Sequence, residues 1–338
     1  MTPQPHTQAT PAAIAEILRT HHRFVLTTHV NPDGDGLGSE LALAHWLHAH
    51  GKDVAILNHS ATPAVYRFLD PAGLIRTYDE QSDRQTVMAA EVIVVVDTNH
   101  PDRLRSLEAA VRQSGAVKVV VDHHLDPAPF ADHYLLDDDA TSTGEIVYRI
   151  ALDLWGAEIP PETATALYCA IMTDTGSFRY PRVDPETFQI CAHLLQCGAD
   201  PVAVYSEVYE RWSPARIHLL GLMLEGLAVE CGGRLAHVSI TRAQLKETGT
   251  TEEDTDNFTT YPMSIRGVVA GILFLELPGE VKISFRSKGE IPINELAKEF
   301  GGNGHRNAAG ARVVGIPIDD VRSRVVGAAA RYVRKENA

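Results

Sequence analysis

The sequence predicts an α/β protein: a doubly wound, mostly parallel sheet, followed by a smaller α/β domain with a mixed sheet. Three observations predict it. Val92–Val96 (VIVVV) and Val117–Val121 (VKVVV) are nearly continuous β-branched runs, the pattern of parallel strands buried on both faces. A helix candidate over Asp102–Gln113 separates them, which makes a βαβ unit. From about Val229 the texture changes to strands of antiparallel type: Leu235–Ile240, Val268–Glu276 and Val281–Arg286.

The remaining elements follow in order. Phe24–Thr28 (FVLTT) is a short apolar strand candidate, followed by Gly- and Asp-rich residues. Leu37, Leu41, Ala44 and Leu47 then mark one face of a helix closed by Gly51. Val54–Leu57 is a second strand. Ser142-x-x-Glu145 has capping-box spacing and opens a helix through about Leu154. Pro160–Pro161 start the next helix, which ends in Thr173-Asp174-Thr175-Gly176. Helical patterns continue over Pro185–Cys197 and Pro201–Glu210 and on to about Leu224. These boundaries give a first domain at 12–190, a helical linker at 191–228 and a second domain at 229–338. Met1–Thr10 is polar, has no secretory character and is expected to be a frayed tail.

Composition narrows the function. The 338 residues are 44% hydrophobic and 22% charged, ordinary values for a globular protein of two domains. No apolar run approaches the roughly 18 residues that would span a membrane. Cys169, Cys191, Cys197 and Cys231 show no C-x-x-C spacing and lie in or beside apolar stretches, so free thiols in a reducing cytoplasm are expected. A net charge of −14 excludes affinity for long duplex DNA, which depends on Lys and Arg neutralising phosphates. A short anionic substrate stays compatible. Lys282–Arg312 has a local basic bias, six Lys and Arg against three Glu.

The chemistry sits at the strand ends. Asp97 directly follows VIVVV, Asp122 and then His123 and His124 directly follow VKVVV, and His29 ends the first strand with Asp33 and Asp35 in the loop after it. Open α/β sheets form their sites in the crevice at these carboxyl ends. Asp174, at a helix end, joins them. Each segment alone has an ordinary explanation as a helix cap, a turn or a loop pair; their coincidence at one sheet edge does not. So many carboxylates share a crevice only if cations neutralise them. A carboxylate and imidazole set without thiolate suits Mn²⁺ best, with Mg²⁺ or Co²⁺ as alternatives. Two such ions, about 3.5–4 Å apart, clamp the attacking and leaving oxygens of an in-line phosphoryl displacement.

His29-Val-Asn-Pro-Asp33-Gly-Asp35-Gly-Leu-Gly-Ser39, Val-Asp97-Thr, Val-Asp122-His123-His124 and Thr-Asp174-Thr-Gly-Ser-Phe resemble, in order, the four motifs of the DHH phosphoesterase superfamily. Gly301-Gly-Asn-Gly-His305-Arg-Asn-Ala-Ala-Gly310 resembles the glycine-rich signature of the associated DHHA1 domain. The resemblance runs from about Ala12 to Val326 and is nearest to the NanoRNase A type, which degrades oligoribonucleotides and dephosphorylates 3′-phosphoadenosine-5′-phosphate. It implies His29 and Asp33 on one metal, Asp35, His123 and Asp174 on the other, and Asp97 bridging both. It further implies His124 facing the scissile phosphate, with Asp122 orienting its histidine neighbours.

In the second domain, Gly302 and Gly304 are read as letting backbone N–H groups approach a phosphate, with His305 beside them. Arg286 is a candidate phosphate clamp, Ser287 a neighbour, and Arg266 and Lys288 weaker candidates. Two anion-binding groups suggest a ruler that favours very short RNA oligonucleotides, linear dinucleotides among them, and nucleoside bisphosphates. The resemblance makes a homodimer a reasonable expectation. The competing readings are an inorganic pyrophosphatase, an exonuclease on longer single strands and a non-catalytic nucleotide-binding module.

Overall fold

A computed structural model describes residues 7–333. The chain divides into two compact units, one ending at Arg211 and one starting at Trp212. The first contains β1 (Thr7–Gln8), α1 (Pro11–Thr20), β2 (Arg23–Thr27), α2 (Gly34–Ala49), β3 (Asp53–Asn58), β4 (Ile75–Thr77), α3 (Arg84–Ala89) and β5 (Val92–Val96). It continues with α4 (Glu108–Gln113), β6 (Val117–Asp122), β7 (His133–Leu136), α5 (Thr143–Trp155), α6 (Pro161–Asp174), α7 (Pro185–Gln196) and α8 (Pro201–Tyr209). The second contains α9 (Pro214–Glu225), β8 (Ala228–Glu230), β9 (Leu235–Ile240), α10 (Arg242–Thr248), α11 (Thr260–Met263), β10 (Ala270–Leu277), β11 (Glu280–Ser287), α12 (Ile293–Lys298), β12 (Asn303–His305), β13 (Ala308–Val314) and α13 (Ile318–Val333).

Seven parallel strands in the order β1-β7-β6-β5-β2-β3-β4 form the first sheet. The chain builds outward from β2 through β3 to β4, then returns to the other side of β2 with β5. The β2–β5 junction is therefore the switch point of the sheet, where such folds open a crevice. The β-branched runs are buried on both faces, as their composition predicts. Val92, Val94 and Val96 pack with α1, α2, α5 and α6, while Ile93 and Val95 pack on the opposite face with Leu104, Leu107, Ala110 and Val111.

The second unit has a six-stranded sheet, β12-β13-β11-β10-β9-β8. It is mixed: β9 and β10 run parallel and the other pairs antiparallel. The expected antiparallel texture fails at that one pair because α10 and α11 lie between the two strands in sequence and carry the chain back across the sheet.

Three local expectations change. The helix expected over Asp102–Gln113 is a 3₁₀ segment, Pro101–Leu107, followed by α4, because Arg105 adopts φ 51° and interrupts the α-helical path. The tail expected over Met1–Thr10 is ordered from Thr7: β1 pairs with β7, and the Thr10 hydroxyl caps α1 by accepting from Ala13 N–H; residues 1–6 lie outside the described residues. The segment 191–228 is shared between the units, with the end of α7 and all of α8 in the first and α9 in the second.

Glycine permits the closest helix approach. A Cβ on Gly38 of α2 would lie 2.3 Å from the Ala166 carbonyl oxygen of α6. That oxygen belongs to the backbone and cannot rotate away. Gly38→Ala is expected to lower unfolding stability by about 1–3 kcal/mol, read by urea denaturation of the metal-free chain; unchanged stability would contradict this packing.

Candidate metal centre

Strand and helix ends of the first unit deliver each candidate side chain. His29 leaves the end of β2, and its Nδ1 lies 2.8 Å from the Val30 carbonyl oxygen. A carbonyl only accepts, so Nδ1 carries the proton and the Nε2 lone pair faces the crevice. There it lies 3.1 Å from Asp97 Oδ2 and 3.9 Å from Asp33 Oδ1. Asp97, just beyond β5, is 2% exposed and holds φ 58°, a left-handed conformation uncommon for a residue with a Cβ. Asp97 N–H still donates to Val121 O, and Asp97 Oδ1 accepts from the Thr143 hydroxyl at 3.2 Å.

Asp33 and Asp35 start α2 in different roles. Asp33 caps the helix, its Oδ1 accepting from Asp35 N–H and Gly36 N–H. The cap explanation is true of Asp33 and does not remove it from the crevice. Asp35 is fully enclosed and accepts from the first backbone N–H groups of α5, Thr143 at 2.7 Å and Gly144 at 2.7 Å. The positive end of a helix thus supports a carboxylate that has no Lys or Arg partner among the described ion pairs. Sequence reading missed Thr143 and Gly144. The Ser142-x-x-Glu145 spacing located this helix start, and its orphan N–H groups were the available signal. Ser142 caps as expected, but Glu145 reaches back to Thr141 N–H and hydroxyl, one residue earlier than a capping box requires.

His123 and His124 diverge after β6. His123 Nε2 lies 3.5 Å from Asp174 Oδ2, 3.7 Å from Asp97 Oδ1 and 3.8 Å from Asp35 Oδ2. His124 Nδ1 is 2.8 Å from Asp122 Oδ1, which also accepts from His123 N–H. Asp122 is wholly buried and sits behind the histidines rather than among the other carboxylates.

All eight residues read from the first four motifs therefore converge. Two complete donor sets emerge, His29–Asp33–Asp97 and Asp35–His123–Asp174, and a third, Asp97–His123–His124, overlaps both. Donors bound to one ion at about 2.0–2.2 Å lie roughly 3–4 Å apart, which matches the separations around His29 and His123. The electrostatics agree. Burial first, then repulsion from neighbouring aspartates, holds Asp35 and Asp97 well above the usual carboxylate range. The same causes push Asp174 up to about 7. Burial, helped by neighbouring His124, lowers His123 to about 4, so its imidazole is neutral and able to ligate at pH 7.

The residues expected to bind substrate in the second unit have mixed outcomes. Arg286 is the next-to-last residue of β11, and its Nη1 donates to its neighbour's carbonyl, Phe285 O. Ser287 donates to Ile291 O and accepts from Asn307 Nδ2. Lys288 donates to Met263 O. Gly302 and Gly304 do not present an anion nest: Gly302 N–H donates to Ala297 O, and Gly304 N–H to Asn303 Oδ1. Their lack of a side chain serves packing instead, because a Cβ would lie 2.2 Å from Gly310 O at Gly302 and 2.5 Å from Ala308 O at Gly304. The His305 side chain lies outside the described residues. The basic bias is partly internal: Lys282 and Arg312 pair with Glu252, and Arg306 with Glu290.

Asp174 gives a pH signature of the metal-free centre. Its pKa rises on folding, so the folded state holds the proton more tightly, and stability falls as pH rises from the unfolded value of 3.8 through about 7. Asp174→Asn removes this loss. In EDTA its melting-temperature difference from the wild type should be least at or below about pH 4 and grow in the variant's favour up to pH 8, and Mn²⁺ should then stabilise the variant less than the wild type. A pH-independent difference would contradict the assignment.

Known proteins are similar along the whole chain. The DHH family N-terminal domain matches residues 23–171, and the DHHA1 domain matches residues 233–334. The bifunctional oligoribonuclease and PAP phosphatase NrnA of Thermus thermophilus is 30% identical, covering 96% of this chain and 95% of that protein. The protein of the same name from Bacillus subtilis is 27% identical over 88% of this chain and 92% of that one. Among solved structures, an exopolyphosphatase-related protein from Bacteroides fragilis superposes with a TM-score of 0.90 at 29% identity, covering 96% of this chain and 97% of that one. With both domain matches in the expected order and a relative 30% identical over nearly its full length, the chain belongs to the DHH family, with a DHH N-terminal domain followed by a DHHA1 domain.

Proposed function

We propose that this chain is a two-metal phosphoesterase. Its substrates are short oligoribonucleotides, linear dinucleotides included, which it hydrolyses to 5′-mononucleotides, and 3′-phosphoadenosine-5′-phosphate, which it converts to AMP. The observation that carries this reading is the pair of donor sets, His29–Asp33–Asp97 and Asp35–His123–Asp174, linked by a third, Asp97–His123–His124. Similarity to proteins named bifunctional oligoribonuclease and PAP phosphatase supports the substrate class.

The chain's own residues divide the work. His29, Asp33 and Asp97 would hold one divalent ion, and Asp35, His123 and Asp174 the second, with Asp97 between them. The oxygen and nitrogen donors favour Mn²⁺, with Mg²⁺ or Co²⁺ as alternatives. Bound ions supply charge neutralisation on the phosphoryl oxygens and a lowered pKa for the attacking water. His124, whose Nδ1–H donates to Asp122 Oδ1, leaves Nε2 as the nitrogen for a phosphate or leaving oxygen, to which it donates as the imidazolium. Asp122 fixes the direction of the ring. Arg286 is assigned to a substrate phosphate other than the scissile one. The four cysteines are free, consistent with a cytoplasmic enzyme. No helix of the described residues is long and apolar enough to cross a membrane.

Purified protein given Mn²⁺ should release product from 3′-phosphoadenosine-5′-phosphate and from a 5′-phosphorylated diribonucleotide, with EDTA abolishing both. Turnover of pyrophosphate alone, or of long RNA alone, would retain the metal centre and overturn the substrate assignment. Silence on every substrate would favour a binding module.

Asp97→Ala should abolish Mn²⁺-dependent turnover, since it removes a donor from the His29 set and the carboxylate oxygen 3.7 Å from His123 Nε2 of the other; near-native activity would refute the bridging role. Asp122→Ala should cost about 10–100-fold in kcat. Arg286→Ala should raise KM on the bisphosphate more than on an uncharged model ester, and equal effects on the two would count against a phosphate clamp.

A further inference from the structure

Glu40 lies on α2 and Asn58 at the end of β3, both fully buried. No arginine or lysine pairs with Glu40 among the described ion pairs, and neither residue belongs to a donor set. Glu40 Oε2 accepts from Asn58 Nδ2 at 2.9 Å, while Oε1 has no hydrogen-bond partner. A carboxyl buried in this way is uncommon unless its bond to a neighbour matters.

The neighbour's other contacts indicate what that bond does. Backbone pairing of β2 with β3 ends at Leu26↔Ile56, and pairing of β2 with β5 ends at Thr27↔Val95. Thr28 N–H lies beyond both ladders. Asn58 Oδ1 accepts it at 3.0 Å, and also accepts from the Thr27 hydroxyl at 3.4 Å. On the other side, the Thr28 hydroxyl donates to Val96 O at 2.9 Å. Two side-chain bonds thus continue the sheet for one more residue, one joining β2 to β3 and the other joining β2 to β5, the strands whose ends carry His29 and Asp97.

The amide of Asn58 serves only in one orientation. Its oxygen must face the Thr28 N–H, which leaves its NH₂ needing an acceptor on the opposite side. Glu40 is that acceptor. A flipped amide would set donor against donor at Thr28.

We propose that Glu40 and Asn58 form a buried positioning pair that fixes the end of β2, and with it the His29 imidazole, relative to Asp97, and so sets the divalent-cation affinity of the His29–Asp33–Asp97 donor set. This inference rests on the two-metal reading and goes beyond it, because neither residue touches substrate or metal. The role needs an acceptor, not a charge. Burial pushes the Glu40 carboxyl up to about 8, against the opposing effects of Asn58 and His29. It is therefore mostly neutral at pH 7, and a glutamine oxygen suits the same place.

The test is Mn²⁺ titration calorimetry on the full chain at pH 7, with thermal unfolding in EDTA run beside it. Wild type should show two binding events, and His29→Ala identifies the one that depends on His29. Glu40→Ala should weaken that event by about 10–100-fold and leave the other within about twofold. Glu40→Gln should bind as wild type does. Glu40→Leu keeps the volume while removing the acceptor; it should behave as Glu40→Ala does and serves if the alanine variant does not fold. Unchanged affinity in the alanine and leucine variants would overturn the proposal. So would a glutamine variant as weak as alanine, which would mean a role for charge, or equal weakening of both events in step with lost stability, which would mean a merely structural role. Absence of Mn²⁺ binding by the wild type would instead remove the metal reading beneath it.

Discussion

The structure of the first unit turns on one electrostatic constraint: Asp33, Asp35, Asp97 and Asp174 share a single crevice, with Asp122 behind the histidines near enough to act on Asp97. Folding must place these groups before any cation is there to neutralise them. Burial and mutual repulsion both favour the protonated carboxyls, which is why Asp35 and Asp97 are displaced so far from the ordinary range. A crevice of this kind is a poor solution for stability alone. Under the proposed function it is a good one, because divalent cations would reverse the sign of the field and the same carboxylates that oppose folding could hold the ions.

The fold manages the uncompensated charge with dipoles. Asp35 takes the two leading N–H groups of α5, Asp33 takes two at the start of α2, and Asp122 takes a backbone N–H and a histidine N–H. None of these partners is a lysine or arginine that would compete with a metal. A lysine or arginine at the same places would pair with the carboxylates and fill the space an ion needs. Helix starts and strand ends therefore do two jobs here: they support the carboxyl groups, and they keep lysine and arginine side chains out of the donor sets. The left-handed backbone at Asp97 follows from the same demand, since the chain must turn sharply at the end of β5 to point one carboxylate between two donor sets.

This explains which parts were legible in the sequence. Val92–Val96 and Val117–Val121 betray their burial by composition, so their positions, the strand ends after them and the acidic residues at those ends follow directly. The supporting groups were less legible because their chemistry is backbone chemistry. Thr143 and Gly144 act mainly through N–H groups, which every residue but proline possesses. Glu40 and Asn58 look like ordinary helix and strand residues until β2, β3 and α2 are placed in register. Arg105 escaped for a related reason, since a single residue at positive φ broke a helix whose side-chain pattern was sound.

Glycine was the signal most open to two interpretations. In Gly34–Gly38 and again in Gly301–Gly304, a missing side chain allows close approach, and sequence alone does not say what approaches. At Gly38 it is the backbone of α6, and at Gly302 and Gly304 it is the backbone of β13. In all three cases the approaching partner is the protein itself, and the N–H groups of Gly302 and Gly304 are already used inside the chain. Under the proposed function a phosphate grip in the second unit falls to side chains rather than to a glycine nest, and Arg286 is the candidate for it, because a guanidinium is planar, permanently charged and shaped for a phosphate.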